Sequence, residues 1–263
     1  NAWDEAVYLL LHTLHLPLDT LDPFLDARVL ADERERFLTL VERRLTERVP
    51  AAYLTGEAWL QGHRFAVDSR VIVPRSPIAE LLADDLAPWI NDPDNVELVL
   101  DLCTGSGCLA VLAALAYPNA QVDAVDLSDN ALEVADENIE QFGLDGRVTT
   151  HRSDLFEQMP RCEYDLIVCN PPYVNSHSME SLPAEYRHEP TMALAGGEDG
   201  MDIVRRILRS APDFMAPDGI LVLEIGNEYE NFLAALPDLE PVWLSTENSD
   251  DQILLLTREQ LAS

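Results

Sequence analysis

The sequence predicts an α/β protein: a doubly wound sheet, mostly parallel, that ends on an antiparallel strand pair and follows a small helical region with a hairpin. Three observations predict it. From residue 96 onward, apolar runs of strand length alternate with stretches of helix length, with glycine turns between them. The last two runs, "EPVWLSTE" and "DQILLLTRE", are joined too briefly for a parallel crossover. Residues 1 to about 50 carry helical periodicity instead.

In that first region Val7, Leu10, Leu11 and Leu14, then Phe37, Leu40, Val41 and Leu45, recur at helical spacing among charges. Leu16-Pro17 and Asp22-Pro23 break it into short helices. "AWLQGHRFAVDSRVIVP" alternates, and Gly62-His63 is the expected hairpin turn. Ser76-Pro77 opens a new helix, with serine as N-cap and proline in the first turn. The change of pattern sets a domain boundary near residue 73, dividing 1–73 from 74–263. Beyond it come the strand "VELVLDLC", the helix "CLAVLAALAY", the strand "QVDAVDLS" and the helix "DNALEVADENIEQFG", stopped by Gly143. "RVTTHRSDLF" and "YDLIVCNPPY" follow as strands, "DIVRRILRSAPDFM" as a helix, and "GILVLEIG" as a strand.

Composition narrows the class. Against 48 acidic residues stand 17 cations, every one an arginine, for a net charge of −31. The excess is spread along the chain, which reads either as a surface adapted to high salt or as an acidic enzyme steering towards a basic partner. No basic stripe is present to track phosphates, so stable nucleic-acid binding is not expected. No stretch reaches the roughly 18 apolar residues of a membrane helix, and no secretory pattern opens the chain. It begins without Met inside a helical pattern (Trp3 to His12), which reads as a truncated start. Cys103, Cys108, Cys162 and Cys169 form no C-x-x-C pair, so the protein reads as reduced and cytoplasmic. The six histidines make no metal set; His12 and His15 lie three apart without a third ligand.

Chemistry gathers at the strand ends, where open α/β sheets bind ligands. The first strand of the alternating part runs into "DLCTGSGCLA", whose Gly105 and Gly107 permit a tight turn and a close backbone approach. Nineteen residues after Gly107 the next strand ends at Asp126, placed to grip two ribose hydroxyls. The third ends at Asp154-Leu155, an acid and an apolar neighbour suited to an adenine edge and face. The fourth ends at Asn170-Pro171-Pro172-Tyr173, a stiff elbow whose prolines cannot continue a ladder. Each feature alone has an ordinary structural reading: a turn, a helix cap, a solvated acid, a packed ring. Together at one sheet edge they describe a site.

"LDLCTGSGCLA", "AVDLS" and "NPPY" resemble the S-adenosylmethionine-dependent amino-methyltransferases that modify glutamine side chains in proteins. "RVPAAYLTGEAWLQGHRFAVDSRVIVPRSPIAELL" and "LPAEYRHEPTMALAGGEDGMD" resemble the branch acting on the third large-subunit ribosomal protein, as does Cys103, where the release-factor branch usually has glycine. The resemblance covers nearly the whole chain and implies a Rossmann-like methyltransferase sheet with S-adenosyl-L-methionine as methyl donor. It implies Asp101 and the run Cys103, Thr104, Gly105, Ser106 and Gly107 around the methionine arm, and Asp126 on the ribose. It also implies Asp154 and Leu155 beside the adenine, and Asn170, Pro171, Pro172 and Tyr173 against a glutamine of a ribosomal protein, with Asn170, Pro171 and Tyr173 catalytic and Asn170 also at the edge of the donor pocket. For residues 1–73 it implies substrate recognition. Three rivals compete: a DNA adenine amino-methyltransferase, which needs a flipped base and phosphate-binding cations; an NAD-dependent oxidoreductase, which leaves Asn-Pro-Pro-Tyr unexplained; and a ribosome-associated binding module. Release factors are the alternative protein substrate.

Overall fold

The computed structural model describes residues 1–18, 20–247 and 249–262. Helices α1 (Ala2–Thr13), α2 (Ala31–Thr46) and α3 (Ala51–Thr55) lead into the hairpin strands β1 (Glu57–Leu60) and β2 (His63–Ala66). After α4 (Ile78–Ala83) come β3 (Leu98–Leu102), α5 (Cys108–Ala116), β4 (Gln121–Asp126), α6 (Asp129–Gln141), β5 (Val148–Arg152) and β6 (Tyr164–Cys169). The chain finishes with α7 (Ser176–Ser181), α8 (Asp202–Ser210), β7 (Met215–Glu224), α9 (Tyr229–Ala235), β8 (Val242–Leu244), β9 (Ile253–Thr257) and α10 (Arg258–Ala262).

Seven strands form one sheet in the order β5-β4-β3-β6-β7-β9-β8. Neighbours from β5 to β7 pair in parallel, whereas β9 runs antiparallel to both β7 and β8. The expected antiparallel ending is therefore present, with β9 inserted between β7 and β8. Burial on both faces explains why these strands read as continuous apolar runs. Alternate residues divide between two cores: Val99, Leu166, Val168 and Val222 join one, while Leu100, Leu102, Ile167 and Leu223 join the other. Helix α5 is buried from Cys108 to Ala114, which is why its sequence carries no polar face.

Several boundaries differ from those expected. The hairpin turns at Gln61-Gly62, one residue earlier than expected, with φ of 49° and 75°. Two successive positive φ values match the twist of a two-residue turn. Helix α8 stops at Ser210 and gives way to a 3-10 turn over Ala211–Asp213, because Pro212 has no amide to continue the α-helical ladder. Helices α7 and α9 are short and were not anticipated. The hairpin is joined to the main core: Phe65 is fully buried in the same cluster as Val99, and its ring stacks on Phe142 with centroids 5.2 Å apart. The buried Asn138 side chain accepts from Ala66 N–H at 2.7 Å and donates to the Ala66 and Ser106 carbonyls at 3.0 and 2.8 Å. Among the described residues no helix is long and apolar enough to cross a membrane.

Candidate active site

Because β3, β4, β5, β6 and β7 run parallel, their carboxyl ends meet at one edge of the sheet. A cavity opens there, with Cys103, Gly105, Asp126, Asp154, Leu155 and Asn170 in its wall. Both oxygens of Asp126 are already engaged: Oδ2 accepts from Gly105 N–H and Oδ1 from Ser128 N–H, each at 2.9 Å. These bonds lock the glycine loop and the start of α6 to one carboxylate, and each oxygen keeps a lone pair for a ligand. Burial pushes the Asp126 carboxyl above its ordinary range, and the backbone N–H groups of Ser128, Gly105 and Leu127 partly offset this.

Asp101, Thr104, Ser106 and Gly107 stand behind that wall. Asp101 is fully buried, and its Oδ2 accepts from the Thr104 hydroxyl at 2.6 Å and Ala110 N–H at 2.9 Å. Burial, reinforced by the Asp126 charge, pushes the Asp101 carboxyl up to about 7. Gly107 has φ +76°, and a Cβ on it would lie 3.0 Å from Ala135 Cβ, so this glycine lets α5 and α6 pack. Cys103 (φ 60°) and Leu155 (φ 53°) are left-handed without being glycine, and both line the cavity. Asp154 is held from outside by Arg206, whose Nη2 lies 2.9 Å from Oδ1.

Asn-Pro-Pro-Tyr lies on the partition between this cavity and a second one. Pro172 faces the first, Pro171 and Tyr173 face the second, and Asn170 faces both. The Asn170 side-chain amide makes no hydrogen bond with any other described residue. Tyr173 is fixed by its far end: its hydroxyl donates to Glu224 Oε1 at 2.8 Å, while Ser76 Oγ donates to Oε2. A Cβ on Gly226 would come 2.4 Å from the Tyr173 ring, so the absence of a side chain there makes the ring's position available. Burial raises the Glu224 carboxyl and these two hydroxyls partly offset it. Arg75 closes another side of the second cavity. It grips Glu189 with both terminal nitrogens, at 2.6 and 2.7 Å, and lies 4.9 Å from the Tyr186 ring centroid.

Sequence reasoning missed Arg70, Val71 and Ile72, which line the first cavity although they precede the expected boundary. They form no regular element and left no periodic signal. Ser128 and Ser153 were also missed as cavity residues. Glu224 did carry a signal: an acid at the end of the apolar run "GILVLEIG" demands partners.

Comparison with known proteins places this geometry in a family. The Methyltransferase small domain model matches residues 79–185. The ribosomal protein uL3 glutamine methyltransferase of Bordetella pertussis is 70% identical over 261 residues, which is 99% of this chain and 88% of that protein. The enzyme of the same name from Burkholderia pseudomallei is 60% identical over 268 residues, covering 99% of this chain and 87% of that one. Among solved structures, the hMettl16 catalytic domain in complex with MAT2A 3'UTR hairpin 6 superposes with a TM-score of 0.56 at 14% identity, over 89% of this chain and 86% of that one. That likeness concerns the fold alone. With a relative 70% identical across 99% of its length, this chain belongs to the ribosomal protein uL3 glutamine methyltransferase family.

Proposed function

We propose that this protein transfers a methyl group from S-adenosyl-L-methionine to the side-chain amide nitrogen of a glutamine in ribosomal protein uL3. One observation carries the reading: Asn170, with an uncommitted amide, stands where the cavity walled by Asp126, Asp154 and Leu155 meets the cavity walled by Pro171 and Tyr173. The uL3 activity named for the 70% and 60% identical relatives supports the choice of substrate.

The first cavity fits the donor. Spare lone pairs on Asp126 suit a ribose, Asp154 and Leu155 suit an adenine, and Cys103 and Gly105 border room for the methionine arm. Asp101, Thr104, Ser106 and Gly107 hold that loop from behind. When bound, S-adenosyl-L-methionine supplies an electrophilic methyl on a cationic sulfur. An amide nitrogen is a weak nucleophile because its lone pair is delocalised into the carbonyl. The Asn170 side-chain oxygen and the Pro171 carbonyl accept its two N–H groups, aim the nitrogen through the partition and stabilise the positive charge that grows on it. Tyr173, immobilised by Glu224, packs over the planar amide. When the nitrogen gains its bond to the methyl carbon, the carbon–sulfur bond of the donor would break to leave the neutral thioether S-adenosylhomocysteine, and one N–H proton would pass to solvent, leaving a neutral N-methyl amide.

Residues 1–73 take the role of protein recognition, in addition to the wall that Arg70 to Ile72 give the donor cavity. Arg44 and Arg48 of this region both reach Glu185, next to Tyr186 in the acceptor wall. A ribosomal-protein substrate and four free cysteines suit a cytoplasmic enzyme. The deciding experiment combines mass spectrometry of methylated uL3 with the Asn170→Ala variant. The wild type should place one methyl on a glutamine side-chain nitrogen. The variant should lose about 10²–10³ in turnover, as expected when one preorganised electrostatic partner is removed, while donor affinity changes by less than roughly tenfold. A fully active variant would reduce Asn-Pro-Pro-Tyr to a stiff loop, and methylation of DNA adenine without protein would replace the reading altogether.

A further inference from the structure

Three residues line both cavities: Asn170, Ile72 and Ala193. We infer that Ile72 and Ala193 complete a collar around the passage that Asn170 guards, holding methyl and nitrogen in line and confining transfer to a primary amide. The inference rests on the proposed methyl transfer and assigns positioning roles to two residues outside Asn-Pro-Pro-Tyr.

Both members are held from their flanks rather than by their own side chains. Beside Ile72, the Val71 carbonyl accepts the Tyr53 hydroxyl and the Val73 carbonyl accepts Arg75 Nη1–H at 3.2 Å. Arg70, two residues earlier, is gripped by Asp68 through Nε and Nη2 and reaches Glu133 on α6 at 3.0 Å. Ala193 closes a 3-10 turn over Thr191–Ala193, and the next residue ties the turn to the site: Leu194 carbonyl accepts Val174 N–H at 2.8 Å. Val174 follows Tyr173 directly, and its own carbonyl accepts Gly196 N–H at 2.9 Å. Thus both sides of the collar are anchored to segments that already carry acceptor-cavity residues, so its width is set by backbone ties.

Side-chain size then decides what passes. Ala193 offers one methyl and Ile72 a branched side chain, in the same two cavity walls as an Asn170 amide that can accept one N–H. A primary amide presents two hydrogens to the Asn170 and Pro171 oxygens. After one transfer, the nitrogen carries a methyl where one of those hydrogens was. A second transfer must fit that methyl against an acceptor oxygen or against Ile72, so the collar stops the reaction at one methyl.

The test uses the full chain, S-adenosyl-L-methionine and purified uL3. Ala193→Val narrows the collar and should lower kcat by about 10²-fold, the cost of roughly 1 Å of misplacement. Affinity for S-adenosylhomocysteine and KM for uL3 should both stay within about threefold, since the collar acts on alignment rather than on uniform binding. Ile72→Ala widens the collar, and intact-mass analysis should show a second methyl on part of the product. Wild-type kcat in Ala193→Val, or loss of its donor affinity, overturns the alignment role. Only singly methylated product from Ile72→Ala overturns the confinement role. Circular dichroism and a cooperative thermal melt report that each variant is folded, and wild-type methylation of uL3 separates failure of the collar from failure of the underlying activity.

Discussion

Asp101 is the residue whose chemistry differs most from its appearance in the sequence. A carboxyl pushed up to about 7 holds its proton in the folded chain at pH values where an unfolded aspartate, near 3.9, has released it. The folded state therefore binds more protons between about pH 4 and pH 7, and Asp101 makes stability fall as pH rises through that window. Its Oδ2 accepts both hydrogen bonds, while Oδ1 is buried without a partner. An asparagine can keep both bonds with its single oxygen, so Asp101→Asn removes the titration and preserves the loop. The melting temperature of the variant should gain on the wild type as pH rises from about 5 to about 8. A difference independent of pH would mean that Asp101 does not titrate in that range. Glu224 and Asp126 are also raised by burial and act with the same sign, so the comparison must be between variant and wild type at each pH.

At the scale of elements, what the sequence made legible depended on how local the cause was. Strands β3, β6 and β7 were readable because burial on both faces forces an apolar run, and Asn-Pro-Pro-Tyr because its stiffness is written in consecutive residues. The segment from Arg70 to Ser76 was not readable as site, because its partners are distant in sequence: Arg70 meets Glu133, and Ser76 meets Glu224. Pairings of that kind leave no periodic trace. They also sharpen the question of what the amino-terminal helices do. Removal up to residue 73 would take Arg70, Val71 and Ile72 out of the donor cavity and Phe65 out of the core. Removal of residues 1–49 spares all four and deletes α1, α2 and the arginines that hold Glu185. The chain beginning at Pro50 should bind S-adenosylhomocysteine within roughly tenfold of the full chain, a change of about 1.4 kcal/mol. Its methylation of uL3 should drop by at least about 10²-fold, because binding energy from remote contacts is spent on orienting the reacting group. Full turnover by the shortened chain would remove the recognition role from these helices.

For the whole molecule, the dominant quantity is charge. The 17 arginines are largely committed: Arg44, Arg70, Arg75, Arg205 and Arg206 each meet one or two carboxylates. Pairing them all would still leave 31 uncompensated acids, since 48 less 17 is 31. Two salt effects then oppose each other. Screening weakens the exposed ion pairs, each worth about 0–1 kcal/mol, and it also weakens repulsion among the surplus carboxylates. Repulsion involves many more pairs of charges, and it acts over a screening length that falls from about 10 Å at 0.1 M to about 3 Å at 1 M. If the acidic surface is an adaptation to salt, relief of repulsion wins and the melting temperature should rise as KCl goes from about 0.1 to 1 M. If the surface instead steers a basic partner, the melting temperature should stay flat or fall, while the association rate with uL3 drops steeply over the same range. Thermal melts and stopped-flow association at matched KCl concentrations separate the two. A falling melting temperature with a salt-independent association rate would defeat both accounts, leaving the excess of carboxylates without a physical role in either folding or encounter.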